Sequence, residues 1–258
     1  MKNLTEYLDL CSVAYYNGIP IIPDNVFDIL ADSVSYSRLG AVSQERTEKH
    51  FYPMYSLQKV YVGEECKVLD GVSNNDITVT PKLDGAAISL LYVEGELVRA
   101  LKRGDGIEGE PITDKFLSTS IVPLKIKHMG VVQVTGEVCA PSYIENSRNY
   151  AAGALNLKNV NEFKTRAITF FAHGVYPAIN ELYKDDMKSL QHLGFATVLD
   201  RDITEIYPTD GVVFRVANNA KFYEMGYTAK HPKGSYALKE INEGADTVLL
   251  GVEWGVGR

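Results

Sequence analysis

Residues 82–101 read KLDGAAISLLYVEGELVRAL, Lys82 to Leu101. Ile88–Tyr92 and Leu97–Leu101 are short β-branched, aromatic and leucine-rich runs flanking Val93-Glu94-Gly95-Glu96, which predicts a β-hairpin with Lys82-Leu83-Asp84-Gly85 at its head. Working outward, the same period-two texture returns at Val131–Cys139, Ile168–Tyr176, Gly211–Val216, Ser235–Lys239 and Thr247–Trp254. Helical spacing is expected around 142–157, 182–193 and 217–225. Hairpins and helices connect these strands without regular βαβ alternation, so the fold class is α+β with a mainly antiparallel sheet.

The first fifty residues read as helical and acidic, and the strand texture sets in from residue 77. Asn3 and Glu6 resemble a capping box, opening a helix to about Tyr16 with Leu4, Leu8, Cys11 and Val13 on its buried face. A second helix is expected from Pro23-Asp24 to about Ser37, with Gly40 beyond its end. The chain has 258 residues, 45% of them hydrophobic and 23% charged, and a formal charge of -7. That composition fits a soluble globular protein of one or two domains and excludes disorder and fibre. An acidic chain does not hold nucleic acid by overall charge, because duplex binding is driven by Lys and Arg displacing counterions; a local basic cleft is still compatible. Three cysteines at irregular spacing, Cys11, Cys66 and Cys139, form no C-x-x-C pair, which points to a reducing cytoplasm. The first residues carry no apolar signal core, and no run of about 18 apolar residues is present, so neither export nor a membrane span is expected.

Gly104-Asp105-Gly106-Ile107-Glu108-Gly109 satisfies G-x-G-x-x-G. We read it as a glycine-rich strand connection and not as a dinucleotide turn. A dinucleotide turn presents backbone amides and a helix N-terminus to pyrophosphate inside a parallel βαβ unit, whereas this loop carries Asp105, Glu108 and Glu110 and follows a hairpin.

Lys82-Leu83-Asp84-Gly85 alone is compatible with a solvated turn. Taken with later segments, it resembles the adenylating lysine motif of the covalent nucleotidyltransferases. These segments are Arg103-Gly104-Asp105-Gly106 with Gly109-Glu110 and Thr113, Thr135-Gly136-Glu137-Val138, and Asn146-Ser147-Arg148-Asn149 with Ala151-Ala152-Gly153. Thr169-Phe170-Phe171, Asp210-Gly211-Val212-Val213, Gly226-Tyr227-Thr228-Ala229 and Ala237-Leu238-Lys239 follow. In order and spacing the set resembles the bacterial NAD-dependent DNA ligases, and the RGDG-x-x-GE and N-x-RN-x-AAG segments are particular to that family. Tyr15-Tyr16, Pro20 and Pro23-Asp24-Asn25-Val26-Phe27-Asp28 are similar to its small helical domain for the nicotinamide mononucleotide (NMN) half of NAD. Without that match, Tyr15 and Phe27 would be read as core residues.

The resemblance implies a helical NMN-binding domain over 1–47, a nucleotidyltransferase (adenylation) domain over 48–242, and over 243–258 a connector with a first-strand stub of an OB-fold. It implies a ligase reaction used in DNA replication and repair. NAD is the AMP donor, Lys82 takes the AMP and releases NMN, and AMP then passes to the 5′-phosphate of nicked DNA, with Mg²⁺ assisting. Lys82, Asp84, Asp210 and Lys239 are the expected catalytic set. Tyr15, Tyr16, Asp24, Phe27 and Asp28 would face NMN. Ser56, Leu57, Arg103, Glu137, His173 and Arg215 would join Lys82 and Lys239 around the adenylate. Arg148 would meet a nucleic-acid phosphate, and no protein cage for a metal is expected.

Several positions depart from the family pattern. Thr80 replaces an acid, Thr135 an arginine, His173 an aromatic ring and Asn156 a second arginine; Tyr16 and Phe27 differ from His and Tyr, and Arg215 replaces lysine. These bear on adenine and DNA contacts and leave the nucleophile in place. The tail resembles the start of an OB-fold, so an adenylation fragment or the adenylating subunit of a split bacteriophage ligase is expected, the second preferred. A partner subunit would supply the OB-fold, a zinc module and helix-hairpin-helix parts, and the site of action would be the bacterial host cytoplasm. Competing readings are an ATP-dependent polynucleotide ligase or capping-type enzyme, and a non-catalytic NAD-binding assembly subunit.

Overall fold

A computed structural model describes residues 47–200, 202–240, Gly251 and, nearer the N-terminus, Leu4, Tyr7, Leu8, Cys11, Ile21–Pro23, Val26, Phe27 and Leu30. The chain divides into two compact units, Met1–Thr47 and Glu48–Arg258. In the first unit Leu4, Tyr7, Leu8 and Cys11 are helical, with Leu8 and Cys11 buried. Val26, Phe27 and Leu30 are helical too, and the Val26 and Phe27 amides donate to the Pro23 carbonyl, both at 3.0 Å. Tyr15, Tyr16, Asp24, Asp28 and the expected strand Thr247–Trp254, Gly251 apart, lie outside the described residues.

The second unit is built on two larger sheets. Its strands are β1 (Glu48–Lys49), β2 (Gln58–Tyr61), β3 (Ile77–Leu83), β4 (Ala86–Val93), β5 (Glu96–Lys102), β6 (Glu108–Gly109), β7 (Val131–Cys139), β8 (Thr169–Tyr176), β9 (Ala196–Thr197), β10 (Thr209–Val216) and β11 (Ser235–Lys239). Helices α1 (Thr113–Leu117), α2 (Ser147–Asn156), α3 (Val160–Lys164), α4 (Tyr183–His192), α5 (Ile203–Ile206) and α6 (Asn219–Glu224) fill the connections. One sheet runs β5-β4-β7-β8-β9 and the other β2-β11-β10-β3, while β1 and β6 form a separate pair. All pairings are antiparallel except β2 with β11 and β8 with β9.

The expected hairpin is β4–β5, closing at Val93 opposite Glu96. Its two turn residues, Glu94 and Gly95, have φ of 49° and 81°, as a two-residue turn matched to strand twist requires. Ile88, Leu90 and Tyr92 of β4 and Val134 and Val138 of β7 enter the main core, where Phe170, Met187, Leu190 and Phe195 meet them. Strands β7, β8 and β11 and helices α2, α4 and α6 fall within the expected spans, and β10 begins two residues before the expected Gly211. Strands β1, β2, β3, β6 and β9 and helices α1, α3 and α5 lie outside the expected spans, β1 and β2 in a stretch read as helical or unstructured. β1 has two residues, and β2 is an edge strand that buries only Val60, so neither carries a readable periodicity.

Two backbone features set up the site. β3 and β4 belong to different sheets, and the Asp84-Gly85 link carries the chain between them. A Cβ on Gly85 would lie 2.2 Å from the Val138 carbonyl oxygen and 2.9 Å from Cys139 Sγ, so only glycine passes there. The pairing of β10 with β3 slips between Thr209 and Val212. Gly211 sits in that slip with φ 140°, its missing side chain facing the Leu238 carbonyl oxygen at 2.1 Å. The irregularity turns Asp210 toward the cleft, as bulges do beside sites.

Candidate functional site

A cleft of about 960 Å³ collects Lys82, Asp84, Arg103, Glu137, Arg148, His173, Asp210, Arg215 and Lys239 together with Ser56 and Leu57. These positions are scattered over some 180 residues of sequence, and two sheets bring them to one place. The volume is within the usual range for small-molecule sites.

One wall is the inner face of the four-stranded sheet. Lys82 is the penultimate residue of β3 and Lys239 the last of β11, with β10 between them. Asp210 joins the two lysines: its Oδ1 is 2.9 Å from Lys82 Nζ and its Oδ2 is 2.5 Å from Lys239 Nζ. Burial alone would raise the Asp210 pKa, but Lys239 and Lys82 outweigh it and hold the carboxyl below its ordinary range. Two ammonium groups on one carboxylate leave a net positive charge facing the cavity.

The facing wall belongs to the five-stranded sheet. Glu137 of β7 lies opposite Ala87 and Phe171, and the Gly85 amide donates to its carboxylate. Burial raises the Glu137 pKa to about 7, against the pull of Lys82 and Arg103. His173 of β8 is pushed down to about 4, by burial and then by the same two cations. Its ring is therefore neutral and flat at the pH where Glu137 titrates, suited to lie against a base. Tyr183 fixes this strand by donating its hydroxyl to the His173 carbonyl at 3.0 Å.

Arg103 follows β5, where its amide donates to the Ala87 carbonyl at 3.0 Å. The loop beyond it has no dinucleotide chemistry. Asp105 Oδ1 accepts from the Ile107 and Glu108 amides, both at 2.8 Å, so a carboxylate sits where a phosphate would be cradled. The loop runs into β6 and pairs with β1 instead of opening a helix. Arg148, in the first turn of α2, is 64% exposed and lies 3.4 Å from Asp84, leaving it reachable from solvent. Ser56 and Leu57 border the cleft on a segment tied down by the Lys230 carbonyl, which accepts from the Ser56 amide at 3.1 Å, and by His231 Nδ1, which donates to the Ser56 carbonyl at 2.9 Å.

Arg215 is held more tightly than an arm that reaches for a ligand. Its Nη1 donates to the Val216 carbonyl at 2.9 Å and Nη2 to Asn219 Oδ1 at 2.7 Å. The Tyr183 and Phe222 rings cover it at 4.3 and 4.0 Å. Asn219 passes its own Nδ2 to buried Asp186 at 2.7 Å. Across the sheet Arg215 faces Thr78, whereas Lys82 lies near the other end of β3, so the two cations sit at opposite ends of this wall. The sequence reading missed Tyr183, Phe222, Asn219 and Asp186, and no local pattern marks them as partners of Arg215. It also missed Lys102, which lines the cleft and donates to Glu110 and to Asn156. Its place beside Arg103 at the end of the hairpin was the available signal.

Among the described residues no three His, Cys, Asp or Glu side chains converge to hold a metal ion, and no helix is long and apolar enough to cross a membrane. In the first unit Phe27 is half-buried. Residues 42–144 match the family model of the NAD-dependent DNA ligase adenylation domain, a segment that includes Ser56, Leu57, Lys82, Asp84, Arg103 and Glu137.

Proposed function

We propose that this chain is the adenylating part of an NAD-dependent DNA ligase, with the nucleotidyltransferase fold in its second unit and the NMN-binding residues in its first. The observation that carries the reading is the Lys82–Asp210–Lys239 array facing Glu137, Arg103 and His173 in one cleft, within a chain whose residues 42–144 match the adenylation family.

In this reading Lys82 gives a proton to solvent, its neutral Nζ attacks the α-phosphorus of NAD, and the second proton leaves to solvent as the phosphoramidate forms. An N–P bond forms, the P–O bond to NMN breaks, and NMN leaves with its phosphate. Asp210 aims the Lys82 amine, while Lys239 and Arg103 stabilise charge developing on the phosphoryl oxygens. Glu137 offers acceptor oxygens to ribose hydroxyls, and the neutral His173 ring lies against adenine. Ser56 and Leu57 border the base, and Arg215 closes the far end of the wall as a fixed cation. Mg²⁺, when bound, would offset charge on the phosphate oxygens.

Transfer of AMP to the 5′-phosphate of nicked DNA follows, with Asp84 holding Arg148 at the cleft mouth for a DNA phosphate. A partner carrying an OB-fold, zinc module and helix-hairpin-helix elements would clamp the nick, as in a split bacteriophage enzyme working in the host cytoplasm. The test is incubation with adenylate-labelled NAD or ATP and Mg²⁺. Label from NAD on wild type and none on Lys82→Ala is expected. Label from ATP alone, or equal label on both proteins, overturns the proposal.

A further inference from the structure

We propose that His50 is a positioning residue for Arg103, acting through the arginine's carbonyl; the assignment to catalysis rests on the adenylation reading above. His50 is buried, and its Nε2 lies 3.0 Å from the Arg103 carbonyl oxygen. A carbonyl only accepts, so Nε2 carries the proton. Nδ1 then has a lone pair, which takes a hydrogen bond from the Ser89 hydroxyl at 2.8 Å. Ser89 is itself buried on β4. The imidazole is thus locked in one tautomer between the hairpin's inner strand and the residue that follows its outer strand. Burial, with Arg99 adding to it, lowers the His50 pKa against the Arg103 hydrogen bond and Asp105, which favours the neutral ring this pairing needs.

The bond to Arg103 is one stitch in a seam. The His50 amide donates to the Ile107 carbonyl at 2.9 Å and the Met54 amide to the Gly106 carbonyl at 2.8 Å. The Arg103 carbonyl accepts a second bond, from the Gly106 amide at 2.9 Å. A Cβ on Gly109 would approach His50 Nε2 to 3.2 Å, so the loop wraps closely over the ring. Arg103 itself faces the cleft, near enough to Glu137 and His173 for its charge to shift both. The chain reverses within three residues of Arg103, so its backbone position there sets where the guanidinium arrives. His50 fixes that position from behind the loop without touching the ligand.

The test compares His50→Asn with His50→Gln, because a glutamine amide reaches about where Nε2–H stands and an asparagine amide does not. Single-turnover adenylation from NAD is expected to fall about tenfold in His50→Asn and to stay within about threefold of wild type in His50→Gln, the loss of one aligned hydrogen bond. In an Arg103→Ala background, His50→Asn should add no further loss, since both act through one group. Equal rates in the two His50 variants, or an undiminished His50→Asn effect without Arg103, overturn the proposal. Ser89→Ala, which frees the tautomer at little cost in volume, should lower the rate about threefold, and an unchanged rate counts against the lock. Amide exchange read at Gly106 provides a measure independent of activity. Faster exchange in His50→Asn than in His50→Gln is expected, and equal exchange overturns the positioning role even where the wild-type protein takes no label, the result that would instead sink the adenylation reading.

Discussion

The two walls of the cleft solve the same problem in opposite ways. On the four-stranded sheet Asp210 is partly open and held between Lys82 and Lys239, which keep its carboxyl below its ordinary range. On the five-stranded sheet Glu137 and His173 have no direct ion-pair partner among the described residues, and burial pushes both toward their neutral forms, to about 7 and about 4. Charge is kept where carboxylate and ammonium touch; on the other wall desolvation outweighs the pull of Lys82 and Arg103 on Glu137, and the same two cations add to it at His173. The proposed chemistry needs both: a charged wall for phosphoryl transfer and a nearly uncharged one for ribose and base.

The contrast can be broken at several points. Lys82→Ala should abolish adenylation, a loss on the order of 10³-fold or more in single-turnover labelling, since no other lysine shares its position between Asp210 and the facing wall. Asp210→Asn leaves the two ammonium groups facing one another without their common carboxylate; adenylation should fall on the order of 10²-fold, chiefly in the rate at saturating NAD. A rate within about threefold of wild type would show that the ion pairs belong only to the unliganded protein.

On the other wall, Glu137→Gln should raise the KM for NAD about tenfold at pH 8, where the native carboxylate is ionised, and by less at pH 6, where a group titrating near 7 is mostly protonated. A ratio independent of pH would contradict the shifted carboxyl. The smallest effects concern stability. Glu137 is raised from 4.5 to about 7, so its contribution is present below 4.5 and is lost as pH rises through about 7. His173 is lowered from 6.5 to about 4, so its contribution is present above 6.5 and is lost as pH falls through about 4. The Tm of Glu137→Gln minus that of wild type should therefore increase with rising pH between 5 and 8. The same difference for His173→Phe should increase as pH falls from 6.5 to 4. Parallel Tm curves would show that burial does not govern this wall.

Much of this was legible along the chain. The β4–β5 hairpin follows from local alternation and a two-residue turn, and β7, β8, β10 and β11 are long enough to carry the same signal. Gly85 is fixed within a four-residue motif, and the acidic loop at Asp105 argued against phosphate before its geometry was known. The short strands β1, β6 and β9 were not legible, because two residues have no period and exist only through their partners. The Tyr183–Arg215–Phe222 stack and its Asn219–Asp186 support were hidden for another reason: the contacting pairs lie 4 to 33 positions apart, each between two different elements, and none of the residues is unusual where it stands.

The sequence by itself determined the β4–β5 hairpin, the strands β7, β8, β10 and β11, the helices α2, α4 and α6, and the chemical types at the site: a lysine before a tight glycine link, a second lysine at a strand end, and isolated carboxylates. Hydrophobic period and turn chemistry are local, and functional-group identity is covalent. Tertiary structure alone decided which groups stay charged. The bulge at Gly211 delivers Asp210 to two lysines, burial across β7 and β8 shifts Glu137 and His173 toward their neutral forms, and ring stacking clamps Arg215. Desolvation and ion pairing depend on distances in space, which chain order does not contain.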